Sequence, residues 1–138
     1  MPDLAGLRVL IVEDEALIAM MAEDMIDSLG CVVAGQASTV ADAYAALEAT
    51  QFDIALLDVN LNGNTSMGVA VALKVRGMPF AFTTGYGADG IDIEHRDMPV
   101  LTKPYSIADL ERALVDCAGK CQAAGVSSTT SSTDSNRG

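Results

Sequence analysis

Positive charge is scarce in this sequence. Its 138 residues include 8 Lys and Arg against 19 Asp and Glu, so the formal net charge is −11. A field of this sign repels phosphate backbones, and the sequence holds no basic cluster to offset it. Direct binding of nucleic acid is therefore not expected.

Long hydrophobic runs are also missing. No apolar stretch approaches the roughly 20 residues that a membrane-spanning helix needs. The N-terminus has neither the basic region nor the apolar segment of a signal peptide. We therefore expect a cytoplasmic protein with no membrane association.

Cysteine and histidine are too few and too scattered to indicate a metal or redox site. Cys31, Cys117 and Cys121 are odd in number and form no Cys-x-x-Cys pair, and the one histidine is His95. Cys117 and Cys121 lie four residues apart on a predicted helix, which is a packing interval. A structural role is predicted for these thiols.

Hydrophobic residues nevertheless make up 50% of the chain, which excludes disorder throughout and suffices for one domain with a core. The last residues are rich in Ser and Thr and contain nothing to bury. We predict a folded domain over residues 1–124 and a disordered tail over residues 125–138.

Five short apolar runs alternate with stretches of helical periodicity. The predicted strands are residues 7–12, 31–36, 54–57, 80–83 and 99–101. Helices are predicted over residues 16–29, from an N-cap at Ser38 to about residue 49, over residues 67–76, and from a capping box at Ser106 and Asp109 to about residue 122. The alternation predicts right-handed crossovers and a three-layer α/β/α sandwich. Residues 88–98 are weakly periodic, so a helix there would be short or disordered.

The run at residues 54–57 has four consecutive apolar side chains between polar ones, which suits a strand buried on both faces of a parallel sheet. Asp58 follows this run. Ligands of open parallel sheets collect outside the carboxyl ends of the strands, so Asp58 is placed for chemistry. Asp53, at the other end, is interpreted as a solvated residue. A single Asp after a strand can also be a turn former, and the neighbouring residues decide between the two readings.

Polar residues follow three other predicted strands at the same edge of the sheet. Glu13 and Asp14 follow the first strand, Thr84 the fourth and Lys103 the fifth. All four are expected to converge on Asp58. This convergence predicts a shared pocket.

Carboxylates held within a few ångströms repel one another, and a hard divalent cation relieves the repulsion. We predict that Asp14 and Asp58 are direct ligands of Mg²⁺. The carbonyl of Asn60 would complete the protein's share of the coordination, and Glu13 would act through water.

Lys103 and Thr84 complete the predicted chemistry. The Lys103 ammonium would steady the Asp58 carboxylate and a transferred phosphoryl group, while the Thr84 hydroxyl would hydrogen-bond a phosphoryl oxygen. Gly85 lets a backbone amide approach the same group. Together these parts predict phosphoryl transfer to Asp58 as the nucleophile, which yields an acyl phosphate.

Over about residues 5–122 the sequence resembles the receiver domains of bacterial two-component response regulators. The resemblance rests on Glu13-Asp14, Asp58, Thr84 and Lys103-Pro104, in the family's order. It implies a flavodoxin-like fold of strand order 2-1-3-4-5 and a cis bond between Lys103 and Pro104. It also implies phosphorylation of Asp58 by a sensor histidine kinase or a histidine phosphotransfer protein. Such a protein is a stoichiometric phosphoacceptor that promotes its own phosphorylation and dephosphorylation, not an enzyme.

Two segments resemble one subgroup of this family more closely. Residues 82–87 match the Phe-x-Thr-Gly-Tyr-Gly pattern of alphaproteobacterial single-domain regulators, and residues 57–61 match its Leu-Asp-Val-Asn-Leu. The subgroup implies a relay or phosphate sink without an output domain. Any output would then pass to a downstream protein partner.

The sequence departs from the common receiver pattern in two places. Val100 stands where the family usually has an aromatic residue, and the interval between the threonine and the lysine is about one helical turn short. Tyr86 or residues 88–98 could carry the switch instead, or Tyr86 could simply pack over the pocket. Leu17 and Met20 leave a similar choice, between scattered surface residues and a partner contact.

Three other functions remain to be weighed. An aspartyl phosphatase on a related fold needs a second Asp two residues after the nucleophile, where this chain has Asn60. A flavodoxin-type carrier needs a hydroxyl- and Gly-rich loop after the first strand, where Glu13-Asp14-Glu15 has the wrong charge. A degenerate receiver would lack some of the acids or the lysine, and all are present.

Overall fold

A computed structural model describes residues 4–85, 91 and 98–128. The strands in this part of the chain are β1 (Arg8–Val12), β2 (Val32–Ala37), β3 (Ile54–Asp58), β4 (Asn60–Leu61), β5 (Asn64–Thr65), β6 (Phe80–Thr84) and β7 (Val100–Thr102). The helices are α1 (Ala16–Ser28), α2 (Val40–Ala49), α3 (Met67–Val75) and α4 (Ile107–Ser128).

Five of the strands form one parallel sheet of order β2-β1-β3-β6-β7. The strands β6 and β7 are the predicted fourth and fifth strands, so the expected flavodoxin-like order is confirmed. The strands β4 and β5 form a separate antiparallel hairpin immediately after β3. This hairpin was not predicted.

The two faces of the sheet bury two separate apolar clusters. Successive residues of a strand point to opposite faces, so Leu10 and Val12 of β1 join the cluster that packs on α2 and α3. Val9 and Ile11 join the cluster that packs on α1 and α4. The central strand β3 is buried along its whole length. The predicted three-layer α/β/α sandwich is therefore confirmed.

Most of the predicted helix ends agree with the structure. Gly30 follows α1 with φ at +82°, a conformation that glycine adopts without strain. The backbone N–H of Ser106 donates to Asp109 at 3.1 Å, and the N–H of Asp109 donates to the Ser106 hydroxyl at 3.1 Å. This reciprocal pair is the predicted capping box of α4.

The predicted N-cap of α2 was wrong by one residue. Thr39, not Ser38, is the N-cap: its backbone is extended, and its hydroxyl accepts a hydrogen bond from the N–H of Asp42 at 3.0 Å. Both residues carry a hydroxyl, so composition alone does not separate them. The first helical turn selects the residue whose side chain reaches its third amide.

Two predictions concern parts of the chain that the structure covers only partly. Helix α4 continues to Ser128, beyond the expected end near residue 122. The division of the chain after residue 124 remains a prediction, since residues 129–138 lie outside the described part. Tyr86 and, apart from Ile91 and Met98, the segment 88–98 lie outside it too.

Candidate functional site

A cavity of about 470 Å³ opens at the carboxyl edge of the sheet. Its lining residues come from the ends of four strands: Asp14, Glu15, Asp58, Val59, Asn60, Thr84, Gly85 and Lys103. The sheet register produces this grouping, because Asp58 pairs with Thr83 in β6 and Thr84 pairs with Thr102 in β7. Strand order alone therefore brings the predicted site residues to one place.

Asp58 ends the buried strand β3 and is itself only 4% exposed. Its Oδ1 accepts a hydrogen bond from the backbone N–H of Asn60 at 3.2 Å. Its Oδ2 accepts one from Nζ of Lys103 at 3.0 Å. The carboxylate is thus oriented from both sides while it borders the cavity.

Lys103 lies among three carboxylates. Its Nζ is 2.8 Å and 3.0 Å from the two oxygens of Glu13, 3.0 Å from Asp58 Oδ2 and 3.6 Å from an oxygen of Glu15. The backbone N–H of Lys103 donates to the carbonyl of Thr84 at 2.8 Å, which ties the loop after β7 to β6. The bond between Lys103 and Pro104 is cis, as the resemblance implied.

Burial and charge shift the pKa values of this group in a consistent pattern. Burial raises the pKa of Glu13 to about 7, although its hydrogen bond from Lys103 opposes the shift. Burial also raises the pKa of Asp58 against the same opposing contact. Burial alone would lower the pKa of Lys103, but its hydrogen bonds to Glu13 and Asp58 outweigh this effect and raise it. The cluster therefore keeps its lysine charged, while burial makes ionisation of its carboxyl groups less favourable.

Asp14 differs from the other two acids because it is half-buried and bound from the hairpin. Burial tends to raise its pKa, but hydrogen bonds lower it overall, above all the one from the Asn62 N–H to Asp14 Oδ2 at 2.9 Å. Asn62 has φ at +54°, and Gly63 follows with φ at +83°. The turn of the hairpin thus presents a backbone amide to an acid of the neighbouring strand.

The donor set suits a hard divalent cation. Ligand atoms of Glu13, Asp14 and Asp58 all lie within 4.8 Å of one another. All of them are carboxylate oxygens, which are the ligands that Mg²⁺ prefers, and the adjoining cavity has room for the waters that it keeps. The residues present therefore fit a magnesium ion.

Thr84 and Gly85 form the wall of the cavity opposite Asp14. Thr84 is 3% exposed, and a Cβ added to Gly85 would meet no atom within 4 Å. The backbone at this point is consequently open to an approaching group. Tyr86, the next residue and a candidate switch, lies outside the described residues.

Three features of the site were not predicted. The direct contact between the Glu13 carboxylate and Lys103 was not predicted, and the action of Glu13 on a metal ion through water stays a prediction. Tyr105 was not singled out, yet burial and the charge of Glu13 raise the pKa of its phenol to about 12. The Asn62-Gly63 pair is a strong hairpin signal that could have revealed the turn over Asp14.

Several known proteins resemble this chain. The family model for the response regulator receiver domain matches residues 9–115. The solution structure of SdrG from Sphingomonas melonis superposes with a TM-score of 0.73 at 46% identity, covering 83% of this chain and 97% of SdrG. The response regulator PhyR from Brucella abortus gives a TM-score of 0.78 at 28% identity, covering 91% of this chain and 53% of PhyR.

A curated relative shows a similar match in sequence. The transcriptional regulatory protein PdtaR of Mycobacterium tuberculosis is 31% identical over 111 residues, which are 78% of this chain and 54% of PdtaR. The chain thus spans about half the length of the curated relatives that it matches. In the part of the chain that the structure describes, no helix is both long and apolar enough to cross a membrane.

Proposed function

This chain belongs to the response regulator receiver family, and we propose that it accepts a phosphoryl group on Asp58 in a magnesium-dependent reaction. The observation that supports this most is the position of Asp58. Its carboxylate borders an open cavity and lies 3.0 Å from a buried lysine, and one of its oxygens is within 4.8 Å of oxygens of two further acids. A solvated turn-forming Asp would have none of these neighbours.

The reaction itself needs little covalent chemistry from the protein. A carboxylate oxygen of Asp58 forms a bond to phosphorus while the bond between phosphorus and the donor breaks, and the donor leaves with that electron pair. A buried carboxylate that is held by two hydrogen bonds loses little freedom in this step. Positioning and charge stabilisation supply most of the catalysis.

Asp14, Asp58 and the carbonyl of Asn60 would hold the magnesium ion, and Glu13 would contribute through water or through Lys103. When bound, the ion supplies positive charge for the equatorial oxygens of the transferred group. Burial raises the pKa of Asp58. The hydrogen bond from Lys103 opposes this shift and so favours the ionised carboxylate that the reaction needs. The metal ion and the Lys103 ammonium would thus offset the negative charge of the acids and of the transferred group.

Lys103 and Thr84 act on the product. Lys103 bonds Asp58 Oδ2 before transfer and would bond a phosphoryl oxygen after it, because the same ammonium has three donors. The Thr84 hydroxyl, on the opposite wall of the cavity, would donate a second hydrogen bond to a phosphoryl oxygen. Gly85 leaves its backbone N–H accessible for the same purpose.

The proposed phosphoryl donor is a sensor histidine kinase or a histidine phosphotransfer protein. The chain would act as a stoichiometric phosphoacceptor in the cytoplasm and signal through a protein partner or draw phosphate from a shared kinase. Its net charge of −11 disfavours nucleic acid as that partner. The related PhyR of Bartonella quintana is an anti-anti-sigma factor.

The proposal is tested by intact-mass measurement after incubation with acetyl phosphate and Mg²⁺. The wild-type mass should rise by one phosphoryl group, and Asp58→Asn should abolish the rise. Asp53→Asn is the matched control, since it removes a carboxylate from the other end of the same strand segment and should leave the rise intact. An unmodified wild type, or equal labelling of Asp58→Asn, would exclude Asp58 as the acceptor.

A further inference from the structure

Ser66 precedes helix α3 at the N-cap position and is 0% exposed. A serine at this position ordinarily accepts a hydrogen bond from the first turn of its helix. The Ser66 side chain makes no such bond. The neighbouring hydroxyl of Thr65 accepts from the N–H of Met67 instead, at 3.3 Å.

The Ser66 hydroxyl is turned toward the end of β3. It donates to the carbonyl oxygen of Asp58 at 2.6 Å and lies 3.1 Å from that of Val59. The backbone N–H of Ser66 also donates to the Val59 carbonyl, at 3.0 Å. Two donors of one buried residue therefore bind the two peptide groups that lead from the phosphoacceptor into the hairpin.

These contacts affect the positions of the Asp58 carboxylate and the Asn60 carbonyl oxygen. Orienting the carbonyls of Asp58 and Val59 restricts the backbone torsions between the Asp58 side chain and the carbonyl of Asn60. Asn60 is held further by its N–H bond to Asp58 Oδ1 and by its side-chain oxygen, which accepts from the N–H of Gly63 at 2.8 Å. Without the Ser66 hydroxyl, the buried carbonyl of Asp58 would lose its short hydrogen bond.

We infer that Ser66 is a positioning residue of the phosphoacceptor site, whose buried hydroxyl aligns the Asp58 carboxylate with the Asn60 carbonyl for the metal ion. The inference rests on the proposed function, since it concerns the same site. Ser66 does not line the cavity, so it would touch neither the ion nor the phosphoryl group. It acts through the backbone, in the way that residues hydrogen-bonded to metal ligands orient those ligands without contacting the metal ion.

The test compares Ser66→Ala with Thr65→Ala in the full chain. Thr65→Ala removes the cap acceptor of the same helix but leaves the carbonyls of Asp58 and Val59 bound by Ser66, so it separates helix stability from ligand alignment. Calorimetric titration with MgCl₂ measures the dissociation constant, and thermal unfolding measures stability. We expect Ser66→Ala to weaken Mg²⁺ binding about tenfold, as the loss of a residue that hydrogen-bonds a metal ligand typically does. Thr65→Ala should lower the melting temperature with the dissociation constant unchanged.

A third variant keeps the test decisive if Ser66→Ala does not fold. Ser66→Cys preserves nearly the same shape but offers a much weaker donor, so its Mg²⁺ affinity should also fall. Wild-type affinity in folded Ser66→Ala or Ser66→Cys, or an equal loss in Thr65→Ala, overturns the inference. A wild-type protein that binds no Mg²⁺ instead contradicts the proposed function, so the two failures are distinct.

Discussion

Nζ of Lys103 lies 3.0 Å from Oδ2 of Asp58, although 45 residues separate them in the chain. Both side chains are largely buried, with 11% and 6% of their surface exposed. The contact therefore forms only when β3 and the loop after β7 have reached adjacent places in the sheet. It connects the folding of the domain to the orientation of its candidate nucleophile.

Replacing Lys103 with Met should destabilise the metal-free protein and strengthen its binding of Mg²⁺. The change leaves the buried carboxylates of Glu13 and Asp58 without their cationic donor, which costs about 1–3 kcal/mol for each group left unsatisfied. It also removes a positive charge that competes with the ion. Chemical denaturation with EDTA and calorimetric titration with MgCl₂ measure the two effects.

Lys74→Met is the control for this prediction. It removes the same charge from α3, and Lys74 does not line the cavity. We expect its Mg²⁺ affinity to remain close to that of the wild type. If both variants change the affinity equally, overall charge and not the local ion pair explains the effect.

Magnesium should stabilise the folded chain, and chelation should reverse the effect. A ligand that binds only the folded state adds about 2.7 kcal/mol when its concentration is 100 times its dissociation constant. Asp14→Asn should abolish most of this gain, because Asp14 is one of three acids with ligand atoms within 4.8 Å of one another. Thermal unfolding across a MgCl₂ series measures it.

Asp24→Asn provides the comparison, since Asp24 is an exposed acid of α1 and lies outside that cluster. Its magnesium-dependent gain should equal that of the wild type. An undiminished gain in Asp14→Asn would show that the ion binds elsewhere.

The sequence predicts the location of the site better than its internal contacts. Apolar runs bounded by polar residues identify buried parallel strands, and the carboxyl ends of such strands share one edge. This logic alone placed Asp58, Thr84 and Lys103 in one cavity. Which acid pairs with Lys103 depends instead on side-chain reach and burial, and the direct contact with Glu13 was not predicted for that reason.

The hairpin after β3 illustrates a second limit. Its strands have two residues each, which is too short for any hydrophobic periodicity. A serine before a helix usually caps it, so the sequence gives no reason to connect Ser66 with β3. Its hydroxyl bonds β3 because the hairpin returns the chain to that strand, and this is a consequence of tertiary structure.

The ion pair between Asp53 and Arg8 should make stability depend on pH in the acid range. Hydrogen bonds from the Arg8 guanidinium hold the pKa of Asp53 below its ordinary value. A carboxyl whose pKa is lowered by folding stabilises the protein above its unfolded pKa, and this contribution is lost as pH falls through the folded pKa. Asp53→Asn should therefore be less stable than the wild type at neutral pH, and the difference should disappear in acid.

Urea denaturation of both proteins at a series of pH values measures this difference. Repeating the neutral measurement at high salt provides the control, because salt screens a pair as exposed as this one. The high-salt difference should be smaller. A difference that stays constant across pH would assign the effect to packing and not to charge.

Tyr44 and Gly68 place a steric limit on the contact between α2 and α3. A Cβ added to Gly68 would lie 2.4 Å from the Tyr44 hydroxyl oxygen but 3.7 Å from the nearest ring carbon. In a Tyr44→Phe background, Gly68→Ala should therefore stabilise the protein by about 0.4–1 kcal/mol, the usual gain from restricting the unfolded chain. With Tyr44 present the gain should be smaller, because the half-exposed ring must first move away. Urea denaturation of the four proteins in this double-mutant cycle measures the coupling, and equal gains in both backgrounds would show that the hydroxyl imposes no constraint.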